Sequence, residues 1–390
     1  MKFDAALKKW ATDTQAEYLE AAIKHGSVRS AARELGLHHS TVQRSLDRLK
    51  AKAAMQNFQP SLGMLHEVPA PYIVKGNSVR IDAEGNVAGG WIKTQLDPDL
   101  HKEYIRGIVE GVAAELPRLA PIDAPDHVEK DLCNLFTMTD SHVGMLAWKA
   151  EGGEDWDLRI AEEVLTKCFE RMVWSSPKAG TAVIAQLGDF LHSDGLLPVT
   201  PTHGHVLDQA ARYGDMVKAA IRILRRLVDF ALTWHEKVIL VVAEGNHDMA
   251  SSVWLRNLFA ALYEYEDRVQ VIDTELPYYV LQHGKTMLGF HHGHIRKPVE
   301  LPTLFAAQYP EIWGQSKRRF AHCGHRHHYE EKEYAGMTVI QHSTLAARDA
   351  HASRGGWFSE RQVRAMTYHA EEGLVAMNVV TPSMVMKEAA

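Results

Sequence analysis

Five short stretches of this 390-residue chain carry side chains of the kinds that bind divalent metal ions: Asp140-Ser141-His142, Gly188-Asp189-Phe190-Leu191-His192, Gly245-Asn246-His247-Asp248, His291-His292-Gly293-His294 and Gly324-His325-Arg326-His327. Carboxylate, imidazole and amide donors without thiolate suit Mn, Fe, Zn or Co. Two such ions held roughly 3.5–4 Å apart can activate a water and neutralise the charge of a phosphoryl group between them. Any one of these histidines alone would be read as an ordinary surface or core residue. Their recurrence in five stretches is what points to a site.

The surrounding pattern supplies the elements that must position them. From Asp131 onward, strands are expected over 132–138, 181–186 and 238–243, with helices over 158–173 and 206–234 between them. Shorter strands follow near 269–272, 278–282, 287–290, 320–323, 338–341 and 365–369. This order predicts an α/β (α+β) fold in which two sheets are sandwiched between helices. In open α/β sheets, sites form outside the carboxyl ends of strands, where Asp140, Asp189 and Asn246 fall.

Residue types, order and spacing together resemble the calcineurin-like metallophosphoesterase superfamily, whose pattern reads D-x-H, G-D, G-N-H-D or G-N-H-E, a lone His, then G-H-x-H. The resemblance spans roughly residues 130–345. It implies a calcineurin-like two-sheet sandwich and a two-metal phosphoesterase. Asp140, His142 and His327 would take the first metal, Asn246, His292 and His325 the second, and Asp189 would bridge them. His291 competes with His292, although the family's His-Gly order favours His292. His247 would be the general acid. Many members have an acid where this chain has His192; Gly-Asp-Phe-Leu-His looks like the SbcD-type DNA repair nucleases. That likeness implies that His192 partners His247, with Asp194 as the alternative, and that Mn is the metal. Neither the capping domain nor the ATPase partner of those nucleases can be inferred from this chain. His294, His322 and His328 are expected to support the ligands, and His342, Ser343, Thr344, Arg348 and His351 to serve surface and packing, with lining of the cleft or contact with phosphate as the alternative.

The N-terminal piece has a different texture. Residues 16–24 read as an amphipathic helix stopped by Gly26, a second helix carries Val28, Ala31, Ala32 and Leu35, and a third starts near His39 with Val42, Leu46 and Leu49 at helical spacing. This is a helix-turn-helix pattern, with Gly36 in the turn and Leu37 and Val42 expected to fill the gap between helices. The third helix would read DNA through His39, Ser40, Thr41, Gln43, Arg44 and Arg48, types suited to base edges and phosphates. Residues 1–56 hold ten Lys/Arg and six Asp/Glu, giving +4 and leaving −10 for the remainder. A solvated three-helix packing module is the alternative.

Three segments are thus expected: 1–56 a DNA-binding helix-turn-helix domain, 57–129 a linker, and 130–390 the phosphoesterase domain. The linker contains a hairpin signal around the turn Glu84-Gly85-Asn86, a helix over 100–116 and a Pro-rich stretch. Arg354-Gly355-Gly356-Trp357 reads as a mobile loop. Gly284-Lys285-Thr286 lacks the first glycine and the helix start of a phosphate-binding loop.

Three cysteines without C-x-x-C spacing argue against a disulfide framework or a zinc ribbon and for a reducing cytoplasm. No apolar stretch approaches the ~18 residues of a membrane span. The leading expectation is a DNA nuclease with two divalent ions, DNA as partner and, by analogy with other readers, a homodimer. A helix-turn-helix joined to this catalytic type looks like bacteriophage or prophage proteins, which implies phage DNA metabolism or repair in a bacterial host cytoplasm. The alternatives are a phosphatase or phosphodiesterase acting on small nucleotides or phosphoproteins, and a DNA-binding regulator with a vestigial phosphoesterase fold.

Overall fold

The computed structural model describes residues 3–55, 58, 72–81, 87–97, 99, 122–201 and 203–386. The turn at 84–86, the helix expected over 100–116 and the prolines at 60, 69, 71, 117 and 121 lie outside the described residues. The chain divides into two compact units, Met1–Glu103 and Tyr104–Ala390.

In the first unit, α1 (Asp13–His25) opens with a capping box between Thr12 and Gln15 and stops at Gly26, whose φ of 65° is a left-handed helix end. Ser27 caps α2 (Val28–Glu34), and α3 runs His39–Met55. Leu19, Ala22, Ala31, Ala32, Val42, Leu46 and Leu49 form a common core. Leu37 departs from expectation: it remains 38% exposed, and Val42 and Leu46 fill the space between helices. β1 (Tyr72–Ile81) and β2 (Val87–Leu96) pair antiparallel.

The second unit is a two-sheet sandwich flanked by helices. The six-stranded sheet, in the order β13-β12-β3-β4-β5-β6, is built from β3 (Glu129–Met138), β4 (Ala179–Gln186), β5 (Lys237–Val242), β6 (Val269–Val271), β12 (Val363–His369) and β13 (Gly373–Val380). β3 to β6 run parallel. The five-stranded sheet, ordered β10-β11-β9-β8-β7, comprises β7 (Tyr279–His283), β8 (Thr286–Phe290), β9 (Arg318–Cys323), β10 (Glu330–Tyr334) and β11 (Met337–Gln341).

Alternation along the strands builds the layers. On β3, Cys133 and Leu135 join Val183, Ile239, Leu288, Phe290 and Met366 between the sheets. Phe136 and Met138 point the other way, into a core with α4 (Leu158–Ser175), α5 (Tyr213–Leu232) and α6 (Met249–Leu262). A third layer packs Phe305, on α7 (Leu301–Gln308), against Met287 and Ala321. Strands buried on both faces read as near-continuous apolar runs, as β4 and β5 do.

Two expectations fail locally. The helix predicted over 206–234 begins only at Tyr213. Residues before it bond to other segments instead: Leu207 N–H to Pro198 C=O, Ala210 N–H to Gly144 C=O, and Leu146 N–H to Asp208 C=O. Tertiary pairing overrides the local apolar pattern. The stretch 354–357 is a loop only in its second half: Arg354 and Gly355 end a short helix, Ala350–Gly355, capped by Asp349 and closed by Gly356 in a left-handed conformation.

Candidate metal centre

All five motif stretches leave the carboxyl ends of strands at one edge of the sandwich. Asp140 and His142 follow β3, Asp189 follows β4 and Asn246 follows β5, whereas His292 follows β8 and His325 and His327 follow β9. The six-stranded sheet therefore presents four of the seven candidate ligands and the five-stranded sheet three.

Main-chain bonds zip the loops together. Asp140 N–H donates to Gly188 C=O and His142 N–H to Asp189 C=O, each at 3.0 Å. The Asp248 carboxylate accepts from the backbone N–H groups of Gly245, Asp189, Phe190 and Leu191 at 2.7–3.1 Å, locking the second motif to the third. Asp189 Oδ1 accepts from His247 N–H at 2.8 Å. From the opposite sheet, His325 N–H reaches the Asp140 carboxylate, and Thr344 Oγ1 donates to Asp140 C=O at 2.6 Å.

Two glycines show why the motifs need them. A Cβ on Gly245 would stand 2.0 Å from Asp189 Oδ1, and one on Gly324 would stand 1.9 Å from Thr139 Oγ1. Neither side can give way without moving a candidate ligand.

Among the described residues, five non-glycine residues have positive φ: Asp140 at 49°, His142 at 44°, Asp189 at 50°, His325 at 74° and His327 at 59°. All five are candidate ligands. A left-handed conformation costs a residue with a Cβ about 1–3 kcal/mol and persists where surrounding structure dictates it, most often at functional sites.

Donor atoms converge in overlapping groups whose members lie within 4.8 Å of one another: Asp140, His142 and His327; Asp189, His292 and His325; and His142, His192 and His247. Asn246 Oδ1 lies 3.2 Å from His292 Nε2, so it joins the second group. His292 Nδ1 bonds Leu187 C=O at 2.8 Å, which turns Nε2 inward. His291 faces away, with Nδ1 2.9 Å from Pro277 C=O.

The electrostatics suit cations. Asp140 and Asp189 are buried, and among the described residues their ion-pair partners are imidazoles alone. Burial alone would raise both carboxyls, but His327 and His292 beside Asp140, and His292 and His247 beside Asp189, hold them below the usual carboxylate range. Burial likewise opposes charge on His292, yet the two carboxylates lift it to about 9. The two buried carboxylates thus draw positive charge to the site, which divalent ions would supply while imidazole coordinates through a neutral nitrogen. The donor set therefore fits a pair of divalent cations.

His247 lies beside this set. Its Nδ1–H donates to the backbone carbonyl of His192 at 2.8 Å, leaving Nε2 for the site. The expected His192–His247 partnership thus runs through the His192 backbone and through stacked rings 5.5 Å apart. The His192 side chain serves His142 instead, Nδ1 to Nδ1 at 3.3 Å, and burial depresses its pKa to about 3. Asp194 is no partner of His247: its carboxylate accepts from Ala250 and Ser251 N–H at the start of α6, both at 2.7 Å.

Sequence reasoning assigned no role to Asp248, although it ends the third motif, and gave Thr344 to packing. The DNA-reading candidates lie together along α3: His39, Thr41, Gln43, Arg44 and Arg48 are exposed and Ser40 half-buried. Arg44 Nε donates to Ser40 C=O at 3.2 Å, and Gln43 Nε2 to Asp47 Oδ1 at 2.8 Å.

No family model and no curated protein sequence matches the chain. Similar solved structures include a predicted phosphoesterase from Streptococcus pneumoniae (10% identity, 66% of this chain and 94% of that one, TM-score 0.29). A novel archaeal phosphodiesterase is 12% identical over 63% of this chain and 99% of its own, TM-score 0.32. Vps29 from Entamoeba histolytica, complexed with zinc, is 12% identical over 64% and 99%, TM-score 0.28. Likeness this faint decides nothing about activity, which must be read from the side chains.

Proposed function

We propose that the chain is a calcineurin-like metallophosphoesterase that hydrolyses phosphodiesters of DNA with two divalent ions, Mn in the first place, and that α1 to α3 bring it to DNA as a helix-turn-helix. The supporting observation is the seven-donor cluster, drawn from both sheets and held in five left-handed conformations. Asp140, His142 and His327 would hold one ion, and Asn246, His292 and His325 the other, with Asp189 shared between them. When bound, such ions supply positive charge for the phosphoryl oxygens and a nucleophilic water at neutral pH.

The protein's own groups do the rest. The backbone N–H groups of His247 and His325 hold the Asp189 and Asp140 carboxylates, and Asp248 fixes the Asp189 backbone. His192 orients His142, and its carbonyl sets the His247 tautomer so that Nε2 can hold or deliver a proton to the leaving oxygen. Residues 1–56, which carry +4, supply the attraction for DNA that the acidic remainder lacks.

Mn-dependent degradation of end-labelled linear, circular and single-stranded DNA, with Asn246→Ala as the contamination control, tests this reading. Cleavage lost in the variant supports it. Turnover of small phosphodiesters without any DNA cleavage favours the second reading, a small-nucleotide or phosphoprotein phosphoesterase, for which the charge of −10 outside residues 1–56 speaks. Arg44→Ala should weaken DNA binding at low salt and spare hydrolysis of a small chromogenic diester.

A further inference from the structure

Behind the metal centre, a chain of buried side-chain hydrogen bonds crosses between the sheets. Tyr368 on β12 meets His322 Nε2, on β9, at 3.1 Å. His322 Nδ1 meets His342 Nε2, just past β11, at 2.9 Å. His342 Nδ1 meets Thr137 Oγ1, on β3, at 3.3 Å, and Thr137 Oγ1 donates to Arg364 C=O at 3.2 Å. The chain starts on the six-stranded sheet, passes through two residues of the five-stranded sheet and returns.

Its proton order is fixed from the ends. Thr137 spends its hydrogen on a carbonyl, so it must accept from His342 Nδ1–H. His342 Nε2 then carries the lone pair and accepts from His322 Nδ1–H, and His322 Nε2 accepts from the tyrosine hydroxyl. In this order every donor has one acceptor and both imidazoles are neutral; Met366 Sδ, 3.5 Å from the tyrosine hydroxyl, is a weaker second acceptor at that end. Burial pushes His322 down to about 3, and burial with His322 and Arg364 keeps His342 well below its ordinary value, in keeping with that order.

The position of this chain gives it a use. Thr137 lies three residues before Asp140, and His322 three before His325. Each candidate ion would take ligands from both sheets, so the separation of the sheets sets the separation of the donors. We propose that the Tyr368–His322–His342–Thr137 chain is a positioning device that fixes the spacing of the two sheets and with it the affinity of the metal pair. This rests on the metal-centre reading above. None of the four residues belongs to the candidate ligand set.

The test is Mn(II) titration calorimetry on the metal-free full-length protein, well below its unfolding midpoint. His342→Leu should weaken Mn(II) binding about tenfold or more, the range seen when groups that orient ligands are removed. His342→Gln, which can accept from His322 and donate to Thr137, should recover most of it. A folded His342→Leu protein that binds Mn(II) like wild type overturns the proposal. Should that variant fail to fold, the volume-conserving pair Tyr368→Phe with Thr137→Val decides: weaker binding supports the proposal, wild-type binding overturns it. Wild-type protein that binds no Mn(II) overturns the metal-centre reading itself and this inference with it, whereas tight wild-type binding with indifferent variants overturns this inference alone.

Discussion

The backbone N–H of His325 donates to both carboxylate oxygens of Asp140, at 2.8 and 3.1 Å, although the two residues end strands of different sheets. Each is in a left-handed conformation. The bond ties the first motif to the fifth across the seam of the sandwich and leaves the His325 imidazole free for the site. Asp140→Asn should keep this contact through its amide oxygen yet lose the charge that a cation needs. The expected outcome is a folded protein whose affinity for divalent metal falls at least about a hundredfold, read by titration.

Gly245→Ala tests the close approach of the third motif to the second. Its Cβ would overlap Asp189 Oδ1 and the Asp189 N–H, so the loops must part. Overpacking of this kind costs about 1–3 kcal/mol. Urea unfolding should register that loss, and metal affinity should drop with it; an unaltered protein would contradict the packing described.

His247→Ala separates catalysis from metal binding. The imidazole is held through Nδ1 by a carbonyl and is not needed to complete either candidate ligand set. Metal content should therefore stay at the wild-type level while turnover falls about 10²- to 10⁴-fold. Loss of bound metal in this variant would make His247 a ligand.

His235 predicts a pH dependence of stability remote from the site. It is 1% exposed, its Nδ1 donates to Ala231 C=O at 2.9 Å, and its Nε2 accepts from Asn134 Nδ2 at 3.0 Å. Burial pushes its pKa down to about 4. Below about pH 6.5 the unfolded chain takes up a proton that the folded one refuses, so stability falls as pH drops from 6.5 towards 4. Between pH 7 and 5 this residue should account for about 2 kcal/mol of lost stability. In His235→Gln the loss over that interval should shrink by that amount.

How much of this was legible in the sequence differs by level. The motif loops, most strand positions and the sandwich could be read because β4 and β5 are near-continuous apolar runs and each donor stretch follows a strand. The start of α5 was misplaced because residues 206–212 look helical locally but pair with Gly144, Leu146 and Pro198. The family's His-Gly order favoured His292 over His291, but what turns the two rings, the Leu187 and Pro277 carbonyls, no spacing reveals. Asp194 was ambiguous for the same reason: only the fold brings the start of α6 to its carboxylate. His322 and His342 are twenty residues apart and meet only because β9 and β11 are neighbours.

The central claim is that these seven donors make a two-metal centre that breaks phosphodiesters. Its most direct test is to count Mn(II) bound per chain in wild type and Asp189→Asn, alongside Mn-dependent hydrolysis of a small chromogenic phosphodiester. The account predicts two ions per wild-type chain, fewer in the variant, and turnover that vanishes with them. Wild-type turnover in Asp189→Asn, or a wild-type chain that binds no divalent metal, would contradict it.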